Sequence, residues 1–396
     1  MASLEYWLWL SSVPVSPKAR LALIERYGDA KAAFFAPEGE FNSLPGVSAR
    51  EAVLLEARDM SGVNGILGAC REQGLQIISM QDAAYPNRLR NIYAPPVVLY
   101  VKGTLPLVDE NALIAVIGTR KASPYGVKMG KELAWQISKD GGIVVSLLTN
   151  GVDAAVAEGA LLAGGSCVGV LGTPHECEHG YLAKQVAAHG ALVSEYPPGM
   201  EPLRSFFRER NRIAAGLSVG VVVVEAPEKS GTRLFANEAA EQGKEIFAVP
   251  GNADAENSVG TLALLKEGAK LVTTGWEVLN EFEALYPDKL RHGQEPYPAE
   301  EKQAETPTTA PAAAKKAIDK PEGKGYIDLA EQLSGLTEDQ LKIVTAIDRS
   351  ASHIDDIIEA TGLPTAKVLA QLTILEIKGY VRREAGRRIA LNIAKK

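Results

Sequence analysis

The chain has 396 residues, material for two or three domains at about 150 residues each. Hydrophobic residues make up 46%, which excludes disorder throughout, and the formal charge of −7 excludes a protein that coats nucleic acid by overall basicity. The scattered cysteines Cys70, Cys167 and Cys177 form no disulfide framework and point to a reducing, cytoplasmic compartment; no apolar run reaches the roughly 18 residues of a membrane span, and the N-terminus lacks the basic start of a signal peptide.

Residues 1–75 read as an N-terminal helical domain. Trp7, Leu8 and Leu10 open an apolar stripe that Leu21, Ile24 and Tyr27 continue at helical spacing, and Gly28 ends it. Leu44-Pro45-Gly46-Val47-Ser48 then turns into a helix carrying Val53 and Leu54. That is the form of a helix-hairpin-helix or SAM-like unit, whose helix N-terminus can hold a phosphate; because Pro-Gly turns are common, the same residues also read as a small helical docking domain.

Residues 76–288 combine a connector and a larger domain. The connector holds a strand at Ile77–Ser79, a turn at Tyr85–Leu89 and a strand from Pro95 to Gly103. Apolar runs follow at Leu113–Ile117, Ile143–Ser146, Cys167–Leu171, Leu192–Glu195, Val221–Glu225, Glu245–Val249 and Leu271–Thr273, with helical patterns between most of them. The runs are continuous and do not alternate, so they are buried on both faces. The fold class is α/β, a Rossmann-like, doubly wound, mostly parallel sheet.

Residues 289–334 begin as a linker, with a Glu/Lys/Thr/Pro/Ala stretch at 301–312 that has almost nothing to bury. Residues 335–396 read as a winged helix. Thr337 can cap a helix through Leu341, Val344 and Ile347; a second helix carries Ile354, Ile357 and Ile358; a third runs from Thr365; and a hairpin turns at Ala385-Gly386. Lys378, Arg382, Arg383, Arg387, Arg388, Lys395 and Lys396 against Glu384 alone make this end basic, which suits DNA. The third helix is mostly apolar, with Lys367 its one cation, and suits protein contact as well.

In an open parallel sheet, ligands bind beyond the carboxyl ends of the strands. After the first long strand comes Gly118-Thr119-Arg120-Lys121-Ala122-Ser123, a glycine turn with cations and a helix start, fit for phosphate. Neither GxGxxG nor GxxxxGK[ST] occurs, so no dinucleotide or nucleotide cofactor is expected. Ser205-Phe206-Phe207-Arg208-Glu209-Arg210-Asn211-Arg212 packs three arginines, an amide and two aromatics into eight residues. It joins phosphate neutralisation to base stacking, the two terms that drive single-strand binding. Helical spacing puts Arg208 and Arg212 on one face, with Arg210 pointing elsewhere. Ser230-Gly231-Thr232 supplies further donors, and Glu225 reads as an orienting or capping group. His175-Glu176-Cys177-Glu178-His179 has the residue types of a zinc site, but no common zinc spacing, and reads as a polar loop.

Several of these segments together resemble the DNA-processing protein A family (DprA, also called Smf). They are Asp82-Ala83-Ala84-Tyr85-Pro86-Asn87-Arg88-Leu89, Pro95 to Gly103, the Gly118–Ser123 turn, Ser194-Glu195-Tyr196-Pro197-Pro198-Gly199, Arg210 to Ser218, Ser230-Gly231-Thr232 and Phe247-Ala248-Val249-Pro250-Gly251. The resemblance implies a cytoplasmic, non-enzymatic recombination mediator. Such a protein binds single-stranded DNA through its Rossmann-like domain, forms homodimers and helps load RecA recombinase during natural transformation. It implies that Arg120 contacts phosphate, and that Phe207, Arg210, Asn211 and Arg212 stand where the family's F-P-x-R-N-R segment lines the DNA pocket. The expected DNA-binding set is Gly118, Arg120, Lys121, Ser123, Ser146, Gly151, Phe207, Arg208, Arg210, Asn211, Arg212, Ser230 and Gly231, with no catalytic or metal-binding residue.

The sequence also departs from that family. The usual S-G-L-A-R-G-[IV]-D stands as Ser146-Leu147-Leu148-Thr149-Asn150-Gly151-Val152-Asp153, the histidine usually found shortly after is Val156, and the loop before Tyr181 is shortened. Arg208 replaces a proline and offsets the charge lost at Asn150. The competing reading is a nucleotide-processing enzyme related to the cytokinin-activating phosphoribohydrolases, of whose G-G-x-G-T-x-x-E motif Ser230-Gly231-Thr232 with Glu238 is a loose echo.

Overall fold

A strand covered on both faces needs apolar side chains at every position, and all five residues of Leu113–Ile117 are buried. In the computed structural model, which describes residues 4–177, 180–293, 297, 338–347, 352–377, 380–384 and 388–391, this segment is β3, an interior strand of a nine-stranded sheet. β4 (Ile143–Ser146), β5 (Cys167–Val170), β6 (Ala191–Ser194), β7 (Gly220–Val223), β8 (Glu245–Ala248) and β9 (Lys270–Leu271) run parallel to it. The connector adds β1 (Gln76–Ser79) and β2 (Val98–Gly103), with β2 antiparallel to β6 and β1 antiparallel to β2. The strand order is β1-β2-β6-β5-β4-β3-β7-β8-β9, so the winding reverses between β3 and β7.

Alternate residues of β3 face opposite layers. Leu113, Ala115 and Ile117 join a core with Trp7, Leu8, Trp9, Leu10 and Leu23 from α1 (Leu4–Ser12) and α2 (Pro17–Tyr27). The same core takes Ile213 and Leu217 of helix Phe206–Leu217 and Phe235 of helix Gly231–Glu241. Ile114 and Val116 face the other core. It contains Leu133 and Ile137 of helix Pro124–Lys139, Val152 and Val156 of helix Val152–Leu162 and Val186 of helix Tyr181–His189. The N-terminal helices therefore share one apolar core with the sheet.

Local caps set the helix ends. Ser123 accepts from the Gly126 N–H and Pro124 takes the first turn of 124–139; Ser230 accepts from the Arg233 N–H at the start of 231–241. The Pro45-Gly46 turn leads into Ala49–Glu56, whose N-terminus is closed by its own side chains. Ser48 Oγ accepts from the Glu51 N–H at 3.3 Å, and the Glu51 carboxylate accepts from the N–H groups of Ser48 (2.9 Å) and Ser16 (2.8 Å).

The contacts divide the chain into two compact units, Met1–Ala304 and Glu305–Lys396. In the second, helices Glu338–Ala346, Ile354–Thr361 and Thr365–Ile377 pack with a three-stranded sheet of Ser352–His353, Val381–Glu384 and Arg388–Leu391. Ile343, Ile347, Ile357, Val368, Leu372, Leu375 and Ile389 form its core. This is a winged helix. Lys367 forms an ion pair with Asp339 at 2.7 Å. Thr337, the hairpin tip at 385–387, Lys378, Lys395, Lys396 and most of the linker lie outside the described residues. Among the described residues, no helix is long and apolar enough to cross a membrane.

Candidate functional site

The reversal between β3 and β7 opens a crevice at the carboxyl ends of those strands, where an α/β sheet binds ligands. Close packing shapes its floor. A Cβ on Gly118 would lie 2.5 Å from Val152 Cγ2, so only glycine lets the β3 turn descend onto helix 152–162. Gly151 has φ +77°, and a Cβ there would lie 2.4 Å from the Thr119 carbonyl oxygen. The Gly118 N–H donates to Asp153 Oδ1 at 3.3 Å, and Thr149 Oγ1 donates to Oδ2 at 2.5 Å. Burial pushes the Asp153 carboxyl above its ordinary range, against the pull of Thr149 and the Arg210 charge.

Above this floor is a cavity of about 420 Å³. Helix 206–217 contributes Phe207, Arg210 and Asn211, at the i, i+3 and i+4 positions of one face. Arg120 and Gly118 come from the β3 turn, Lys229, Ser230 and Gly231 from the loop after β7, and Leu147 and Thr149 from the loop after β4. Arg210 is 3% exposed, and its Nη1 donates to the carbonyls of Leu147 (2.7 Å) and Val170 (3.0 Å). Burial brings its pKa down to about 10, so it stays protonated at neutral pH. Phe207 is 39% exposed, with the guanidinium carbons of Arg120 and Arg210 at 5.9 and 5.8 Å from its ring centre. The lining carries Arg120, Arg210 and Lys229 against Asp153, a net positive hollow with an open aromatic ring.

Of the residues expected from sequence, Gly118, Arg120, Phe207, Arg210, Asn211, Ser230 and Gly231 line this cavity. Lys121 and Ser123 line a neighbouring cleft. The Ser123 N–H and Oγ–H donate to the Glu225 carboxylate at 2.9 and 2.5 Å, which gives Glu225 its orienting role. Ser146 is buried, donating to the Asp153 carbonyl at 2.9 Å, and Gly151 packs beneath the Thr119 carbonyl. Arg208 is exposed but does not line the cavity. Arg212 turns into the interior, where its Nη2 donates to Glu195 Oε2 at 2.5 Å. Phe206 is buried and stacked on Tyr196 at 3.7 Å between ring centres, which leaves Phe207 as the open aromatic. Lys229, Thr149 and Asp153 were not expected; Lys229 had a signal in its place directly before Ser230-Gly231.

The remaining sequence candidates lie elsewhere. Glu238 lines a separate cavity with Arg88, Tyr93 and Lys244, and does not share one with Ser230-Gly231-Thr232. Buried His175 has Nε2 2.8 Å from the Tyr100 carbonyl oxygen, and burial lowers its pKa. Glu178 and His179 lie outside the described residues, among which no His/Cys/Asp/Glu group could hold a metal.

Residues 76–283, more than half of the chain, match the family described as DNA recombination-mediator protein A. The chain belongs to that family. Residues 328–387 match the DprA winged helix domain. DNA processing protein DprA of Bacillus subtilis is 38% identical over 236 residues, 59% of this chain and 78% of that protein. Protein Smf of Synechocystis is 32% identical over 332 residues, 80% of each chain. The X-ray structure of DNA processing protein A from Streptococcus pneumoniae superposes with a TM-score of 0.60 at 31% identity, covering 70% of this chain and 96% of that one.

Proposed function

We propose that the chain is a recombination mediator that holds single-stranded DNA in the cavity between β3 and β7. One observation carries this reading: Arg120, Arg210 and Lys229 converge there around the open ring of Phe207. Cations neutralise the strand's phosphates and an aromatic face stacks on its bases, a pairing that tolerates any sequence. Duplex bases are already stacked on one another, so single strands bind in preference. Ser230 and Gly231 bring backbone N–H groups to the same hollow, and Asn211 adds an amide.

In this reading the output is binding, with no chemical step. In the competing enzyme reading Glu238 would be the acid beside the Ser230-Gly231-Thr232 turn, but it lines a different cavity, and the acid that does line this one, Asp153, is engaged by the Gly118 N–H and the Thr149 hydroxyl. The protein acts in the cytoplasm as a homodimer, handing the strand to RecA recombinase. Purified protein should speed RecA assembly on single strands coated with single-strand-binding protein, and should consume no nucleotide itself. Equal affinity for single strands and duplex, or turnover of a nucleoside monophosphate abolished by Glu238→Gln, would reject the reading.

A further inference from the structure

A second and larger cleft, of about 920 Å³, lies across the Gly118–Lys121 loop from the cationic cavity. Thr119 and Pro227 line both. The loop between them is a fixed rib: the Thr119 N–H donates to the Glu225 carbonyl at 2.9 Å, and the Thr119 hydroxyl accepts from the Lys121 N–H at 3.2 Å. The opposite wall is tied to the same strand end. Asn257 Nδ2 donates to the Lys121 carbonyl at 3.0 Å and to the Glu225 carboxylate at 3.3 Å. Tyr125 is 44% exposed at this cleft, and its hydroxyl donates to the Pro250 carbonyl at 2.8 Å, which holds an open ring in place.

The two hollows differ in charge. The larger carries Lys121 against Glu225 and Glu256; the smaller carries Arg120, Arg210 and Lys229 against Asp153. Phosphate is drawn to the smaller and disfavoured in the larger. The larger offers the aromatic ring of Tyr125 and the amide of Asn252, groups that stack on and hydrogen-bond to an uncharged heterocycle. We propose that this cleft receives a nucleobase of the bound strand. The strand then crosses the Gly118–Lys121 rib with a phosphate at Arg120 and the adjoining base against Tyr125 and Asn252. The inference rests on the single-strand reading above and adds a base subsite to it.

The test uses the full chain, an oligothymidylate, and a set of the same oligomers with one abasic position moved along the strand. Tyr125→Leu and, separately, Asn252→Ala are compared with Arg120→Ala, and each variant's thermal midpoint is checked against the parent. Loss of a base–aromatic stack should weaken binding roughly 5- to 150-fold for Tyr125→Leu. The salt slope should stay unchanged, because no phosphate contact is removed. At one abasic position the parent should lose a similar factor, and Tyr125→Leu should lose little more. Arg120→Ala should lower the salt slope and keep the abasic penalty. The base subsite is overturned if both cleft variants bind as the parent does, if they keep its full abasic penalty, or if no abasic position costs the parent anything. In each of those cases an Arg120→Ala effect leaves the single-strand reading standing. A parent that binds no oligomer, or an Arg120→Ala variant identical to it in affinity and slope, overturns both.

Discussion

Arg120→Ala should weaken single-strand binding in a way that depends on salt. Arg120 is exposed at the cavity, with its guanidinium carbon 5.9 Å from the Phe207 ring centre. Among the described residues no carbonyl holds Arg120 as those of Leu147 and Val170 hold Arg210, so its donors face the cavity for a phosphate. A charge-assisted hydrogen bond contributes about 1.5–3 kcal/mol, or roughly 10- to 150-fold in affinity at low salt. One phosphate contact also accounts for about 0.7 of the slope of log affinity against log salt. From 50 to 200 mM salt, the deficit of the variant should therefore shrink by a factor of about 2.6. Fluorescence anisotropy of a labelled oligothymidylate across that range measures both quantities. Arg208→Ala is the control, since Arg208 is exposed but outside the cavity. An unchanged slope for Arg120→Ala, or a larger effect from Arg208→Ala, would refute the phosphate assignment.

Gly118→Ala should cost about 1–3 kcal/mol in denaturant unfolding, because the added methyl meets Val152 at 2.5 Å; an unchanged midpoint would show that the turn is not constrained. Glu195→Ala should destabilise the fold by about 3–5 kcal/mol by leaving Arg212 buried without its carboxylate, and the salt slope of the residual folded protein should not move. Glu51 has its carboxyl held down at about 2: burial opposes ionisation, and the hydrogen bonds from Ser48 and Ser16 outweigh it. Its contribution to stability is complete above the unfolded value of about 4.5 and is lost as pH falls toward 2. Glu51→Gln should flatten that part of the stability–pH curve, by about 1 kcal/mol or less because solvent screens the group.

The parallel sheet was legible because burial on both faces writes itself as unbroken apolar runs such as Leu113–Ile117 and Val221–Val223. The strands of the connector were legible too, but not the antiparallel attachment of β2 to β6, since a strand's own residues do not name its neighbour. In the site, the turns at Gly118–Arg120 and Ser230–Gly231 could be found because a strand end followed by a helix start marks a ligand-facing loop. The orientation of helix 206–217 could not. From Arg210 to Leu217 it is buried on every side, the polar Arg210, Asn211 and Arg212 included, so polarity does not mark which face meets solvent. Spacing alone grouped Arg208 with Arg212, whereas Glu195, brought close only by folding, draws Arg212 inward and leaves Phe207, Arg210 and Asn211 to the cavity.

Photo-cross-linking tests the DNA site most directly. The full chain is irradiated with single-stranded oligomers carrying 5-iodouracil at successive positions, and the adducts are mapped by peptide mass spectrometry. The Phe207 ring, open at the cationic cavity, should carry an adduct that disappears under excess unlabelled single strand and persists under excess duplex. Adducts confined to the winged helix, with none on the residues around Arg120, Phe207 and Arg210, would contradict the site.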